Sequence, residues 1–126
     1  MFSTALFVAA LLVFAIGAVH SWLGERMLLG PLLAEGRRAG MLDKSEFARG
    51  VLRFAWHITT VAWWGMGAIL LAYSRMAPDA GQRMGLIVLA VTFLTTGVII
   101  LAVSRGRHLA WPVFLAIAGL TLAPVF

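Results

Sequence analysis

The chain has 126 residues, 62% of them hydrophobic and only 12% charged. A soluble domain is about 45–50% apolar and about 25% charged. A water-soluble enzyme domain and a disordered chain are therefore both excluded, and an integral membrane protein remains. There is no cysteine, which removes disulfides, thiolate metal sites and iron–sulfur clusters. The formal net charge is +5, but the basic residues sit in short stretches between apolar runs. They lack the clustering of a nucleic-acid footprint, so no nucleic-acid partner is expected.

A helix needs about 20 mainly apolar residues to cross the hydrocarbon core. The apolar runs predict helices over 2–23, 44–73, 84–103 and 109–126, with 24–43 as an interfacial segment. The runs do not alternate as barrel strands do: 86–91 reads Leu-Ile-Val-Leu-Ala-Val. The expected fold is all-α, an antiparallel four-helix membrane bundle in a single domain. The first run has no basic residue before Arg26. It therefore reads as a retained helix rather than a signal peptide, whose n-region is basic.

Within 24–43, Gly30-Pro31 is expected to break the helix, and the surrounding Met27, Leu28, Leu29, Leu32 and Leu33 to lie in the interface plane. Asp43 followed by Glu46 predicts a capping box for the second helix. That helix would reach about 45 Å at 1.5 Å per residue, so its first turns must leave the hydrocarbon or bend near Gly50. Ser74 to Arg83 reads as a simple turn around Pro78 and Gly81. Orientation follows from Lys and Arg. Arg26, Arg37, Arg38, Lys44, Arg49 and Arg53 flank the first connection, Arg105 and Arg107 the third, but only Arg75 and Arg83 the second. Connections one and three should be cytoplasmic and both termini exported.

The three histidines, His20, His57 and His108, all fall near the expected cytoplasmic boundary, with Glu25 about one turn beyond His20. Ionisable groups in membrane segments usually face the bundle interior or each other. Three roles compete. Imidazoles with a carboxylate suit a divalent transition metal, and two histidines on facing helices suit a b-type haem. Glu25, Arg26 and Arg53 beside histidines suit a proton or ion relay. Hydrogen bonding across helices would make the group a packing device. Trp56, Thr60 and Trp64 share the helix with His57 and are supporting candidates, while Trp22 and Trp111 are expected interfacial anchors. Arg53 with Glu25 would close the corner between the first two helices. Thr92, Thr95 and Thr96 are expected to bond their own helix. Ala5 with Ala9, Gly17 with Ser21, Ala68 with Ala72, and Gly119 with Ala123 mark close-approach seams.

The residues His20-Ser21-Trp22-Leu23-Gly24-Glu25-Arg26 and Arg53-Phe54-Ala55-Trp56-His57 resemble those of small, uncharacterised four-span bacterial membrane proteins. The resemblance covers about half of the chain and implies a bacterial membrane protein, with no activity, substrate or site attached. The chain differs from the small multidrug transporters, which carry a glutamate in the first helix where Phe2 to Leu23 holds no carboxylate. The expected role is non-enzymatic, accessory or partner-binding, with the bilayer and a membrane protein or a second copy as partners. The alternatives are a haem- or metal-binding protein using His20, His57, His108 and Glu25, and a proton-coupled carrier.

Overall fold

A computed structural model describes residues 2–35, 39–77 and 79–126. The described residues are helical, without strands, in the order α1 (Thr4–Leu23), a π-helical segment (Gly24–Leu29), α2 (Gly30–Leu33), α3 (Met41–Lys44), α4 (Glu46–Tyr73), α5 (Ala80–Ser104) and α6 (Ala110–Leu122). Three helical stretches are long and apolar enough to cross a membrane: Thr4–Leu33, Glu46–Tyr73 and Ala80–Ser104. The expected fourth span is shorter than its apolar run. α6 has 13 residues, or about 20 Å of rise against a core of about 30 Å.

The expected break at Gly30-Pro31 does not occur. The first helix continues through the π-helical turn into α2, so 24–33 is helix rather than loop. The π segment explains how proline is accommodated. Pro31 lacks an N–H, and its ring would strike the carbonyl one turn back in a regular α-helix. Just before it the ladder widens, and the Gly30 N–H reaches back five residues to the Glu25 carbonyl. A Cβ on Gly30 would sit 2.8 Å from that carbonyl oxygen, so the widened turn calls for glycine.

Two caps also differ from the sequence pattern. Asp43 lies inside α3, and Ser45 caps α4 instead. Its extended backbone aims Oγ at the Ala48 N–H, 3.2 Å away. The capping box lies at α5. Asp79 accepts from the Gln82 N–H at 2.8 Å and the Gln82 side chain accepts from the Asp79 N–H at 3.1 Å. These bonds start α5 at Ala80, a turn before the apolar run. Pro78, Arg37 and Arg38, used above for the turn and for orientation, lie outside the described residues.

The chain divides into two compact units, Gly17–Trp63 and the remainder, Met1–Ile16 with Trp64–Phe126. In the larger unit α5 and α6 pack antiparallel. Phe93 and Phe114 are fully buried and stacked at 6.2 Å. Gly97 lets the helices approach closely, since a Cβ there would lie 2.9 Å from the Leu115 side chain and 3.2 Å from the Trp111 carbonyl. Leu6, Val13, Leu70, Leu86 and Ile117, with several alanines, are also buried in this unit. The Ser3 N–H donates to the Ser74 carbonyl at 2.7 Å, tying the start of α1 to the end of α4. The outward face of α5 carries Val88, Val91, Leu94, Val98 and Ile99, all exposed. Such a surface is unfavourable in water and natural in hydrocarbon. The smaller unit pairs the end of α1 and the π segment with the first half of α4, and it holds the polar cluster.

Candidate functional site

Ser21, the π-segment residue Glu25, and α4 residues Arg53, His57 and Thr60 form one hydrogen-bonded chain. Glu25 makes an ion pair with Arg53 at 2.8 Å and a second bond from Arg53 Nε at 3.2 Å. The same carboxylate lies 3.2 Å from His57 Nε2, and His57 Nδ1 lies 2.9 Å from Ser21 Oγ. Ser21 Oγ in turn lies 2.9 Å from Thr60 Oγ1, which reaches the Gly17 carbonyl at 3.3 Å.

The donor directions follow from chemistry. An ionised carboxylate only accepts, so His57 Nε2 carries the proton and donates to Glu25. In the neutral ring Nδ1 is then the acceptor, and the Ser21 hydroxyl donates to it. Thr60, 3% exposed, has a single proton; with the Ser21 proton on His57 it goes to Ser21 Oγ, the nearer acceptor at 2.9 Å, and the Gly17 carbonyl at 3.3 Å is the minor branch of a shared bond. The buried Thr60 hydroxyl and the half-buried Ser21 hydroxyl are thus both satisfied, as low-dielectric surroundings demand. The order serine, imidazole, carboxylate is that of an activated nucleophile. Here, however, the serine oxygen already accepts from Thr60, and the chain ends on the backbone carbonyl of its own helix. This arrangement suits a clamp better than a reacting group.

His20 lies in a second cluster of the same unit. Its ring stacks on Trp56 with centroids 4.5 Å apart and planes 5° off parallel, and Trp63 leans against it at 4.9 Å. Trp56 Nε1 donates to the His20 carbonyl at 3.2 Å. Thr59 directs its hydroxyl proton to the Trp56 carbonyl at 2.7 Å, so it accepts from His20 Nε2 at 3.1 Å. Gly24 admits the Trp56 ring: a Cβ there would overlap the indole, with Cζ2 at 2.6 Å. Trp56 is therefore a structural wedge between α4 and the π segment. A helix with bulkier residues at this point could not bring Glu25 to His57.

His108 lies in the other unit, where its Nδ1 accepts the Ala110 N–H at 3.2 Å and so helps to start α6. Its position beyond α5 follows from the left-handed residues Arg105 and Gly106, which end that helix. Among the described residues no three His, Asp or Glu side chains gather in an arrangement able to hold a metal ion. The two ring nitrogens of His57 are both bonded to protein side chains, so a metal could bind there only by displacing Ser21 or Glu25.

The expected supporting residues have distinct places. Thr60 and Trp56 belong to the two clusters above. Trp64 lies in the larger unit, donating to the Phe14 carbonyl at 3.1 Å. Trp22 is exposed beneath the Arg26 guanidinium, 5.6 Å from its ring centre. Trp111 donates to the Gly106 carbonyl at 3.3 Å. Thr92 and Thr96 bond the carbonyls of Val88 and Thr92 on their own helix. Ser21, Thr59 and Trp63 were not among the expected site residues. Ser21 could have been found from its i, i+4 spacing to Glu25, which places both on one helix face. Thr59 and Trp63 carry no comparable signal.

Compared with protein-family models, curated proteins and solved structures, the chain has no match in any of the three.

Proposed function

We propose that this chain is a small multi-pass protein of the bacterial inner membrane with a non-enzymatic, accessory role, built to present a fixed helical surface to a membrane partner. In this reading four antiparallel segments cross the bilayer. The connections after α1 and α5 are cytoplasmic, and the start of α1 and the end of α6 are exported. The bond between Ser3 and Ser74 and the antiparallel packing of α5 on α6 support that arrangement. α6 is the weakest span, about 10 Å short of the core, a mismatch that local thinning and its flanking residues would absorb.

The observation that carries the role is the double bonding of His57 by Ser21 and Glu25. Two side chains one turn apart on one helix hold both nitrogens of a ring on the other, which fixes register and rotation together. The shortest ion pair among the described residues, Glu25 with Arg53, closes the outer end of this clamp.

The test is an absorption spectrum and elemental analysis of the detergent-purified protein beside His57→Gln. The expected result is a colourless protein with metal well below stoichiometry. His57→Gln should remain folded and lose about 1–2 kcal/mol, the net value of one or two hydrogen bonds. A Soret band, or near-stoichiometric metal, that disappears in His57→Gln would overturn the accessory reading in favour of a cofactor site.

A further inference from the structure

The first half of α4 turns an apolar face away from its own unit. Phe47, Val51, Phe54, Ile58 and Val61 are 81%, 46%, 63%, 45% and 63% exposed. Their spacing of four, three, four and three residues is the seam of a left-handed coiled coil. In that register Val51 and Ile58 occupy a positions, and Phe47, Phe54 and Val61 occupy d positions. The a positions are thus β-branched, and two of the three d positions carry a phenyl ring. We propose that α4 pairs in parallel, along this seam, with α4 of a second copy of the chain. This deepens the accessory reading and rests on it.

Four observations favour a second copy over lipid. The first is length. α4 has 28 residues, about 42 Å against a core of about 30 Å. If its later turns span, the first two lie among headgroups and water. Phe47 and Val51 would there expose apolar surface to a polar medium. The second is shape. Gly50 and Ala55 beside the seam are exposed, and nothing lies within 4 Å of a Cβ placed at Gly50. Small flanking residues let a partner helix approach.

The third is charge. Arg49 is held by the Leu42 carbonyl at 2.9 Å and lies 3.8 Å from Glu46, and Arg53 is held by Glu25. In the same register Arg49 and Arg53 fall at f and c, off the seam, and each is held within its own chain, so neither places a charge between the copies. The fourth is area. At roughly 200 Å² per aromatic side chain, Phe47 and Phe54 expose roughly 290 Å². The three aliphatic residues raise one seam to roughly 500 Å², so two copies bury about 1,000 Å², the lower bound of a specific interface. Parallel pairing follows from orientation, because two copies inserted the same way carry parallel α4 helices.

The natural chain has no cysteine, so single-cysteine cross-linking is unambiguous. Full-length Val51→Cys and Phe54→Cys, reconstituted at low density in phosphatidylcholine–phosphatidylglycerol vesicles, should form disulfide dimers in most molecules on mild oxidation. Val91→Cys, exposed on α5, should remain at least five-fold lower. Val51→Glu should reduce the dimer fraction of the otherwise natural chain at least ten-fold by mass photometry, with its helical content unchanged. Cross-linking at Val51 and Phe54 no greater than at Val91, or a monomeric mass for the natural protein in vesicle-derived nanodiscs, would overturn the pairing. The metal and haem measurement above fails or succeeds separately. A cross-linked dimer with a Soret band would overturn the accessory role and leave the seam standing. A colourless monomer would remove the seam alone.

Discussion

Adding one methyl group at Gly24 tests the way Trp56 wedges α4 against the π segment. The methyl of Gly24→Ala would occupy the space of the Trp56 indole. The ring cannot move freely, because its Nε1 donates to the His20 carbonyl and its face stacks on the His20 imidazole. Overpacking costs about 1–3 kcal/mol. Displacing the ring forfeits about 1 kcal/mol of hydrogen bond and about 0.5–1.5 kcal/mol of stacking. Alanine returns up to about 1 kcal/mol of helix propensity. The balance is a loss of about 1.5–4.5 kcal/mol, or a fall in Tm of about 6–18 °C at roughly 4 °C per kcal/mol for this chain length. Gly65→Ala is the control, since nothing lies within 4 Å of its Cβ position. Its Tm should hold or rise by up to about 4 °C. The assay is thermal unfolding in detergent followed by circular dichroism, repeated in a Trp56→Phe background. A phenyl ring lacks the indole atoms nearest Gly24, so there the penalty should fall by about half. A Gly24→Ala protein melting within about 2 °C of the natural one would refute the wedge.

The ion pair at the outer end of the clamp should be weak despite its short distance. The Glu25 and Arg53 side chains are 39% and 51% exposed. A double-mutant cycle of Glu25→Gln and Arg53→Gln should therefore give a coupling of about 1 kcal/mol or less, smaller again in high salt. A coupling above about 2 kcal/mol that ignores salt would mean the pair is desolvated. At the start of α5, Asp79→Ala removes the acceptor for the Gln82 N–H and should cost about 1 kcal/mol, while Asp79→Asn retains most of it. Equal melting of Asp79→Ala and the natural protein would show that this capping box carries no stability.

The two polar clusters separate what local patterns reveal from what packing decides. The choice of His20, His57, Glu25 and Arg53 was legible, because ionisable groups at the edge of apolar runs must find partners. The pairings were not. Glu25 reaches His57 only because the helix widens after Leu23 and because Gly24 leaves room for an indole. His108 matched the other two histidines in expected depth, yet its ring serves the start of α6. Local rules also misjudged two boundaries. Gly30-Pro31 reads as a stop in any list of turn signals, but the wider π turn removes the clash that makes proline a stop. Asp43 and Glu46 satisfied a capping pattern, but Ser45, two residues later, caps the helix with a single bond.

By itself, the sequence determined that this protein is helical, apolar enough for a bilayer and free of cysteine chemistry, with its charged groups outside the apolar runs or near their ends. Those properties depend on composition and on periodicity along one chain, and the transfer cost of each side chain is nearly independent of its neighbours. Only the tertiary structure decided which residues meet, which partners hold the two ring nitrogens of His57, and which face of α4 is left bare. Those depend on the rotation and axial register of one helix against another. Register is set by side-chain volumes on both helices at once, here by the Trp56 ring against the bare backbone of Gly24, and no single segment contains both halves of that fit.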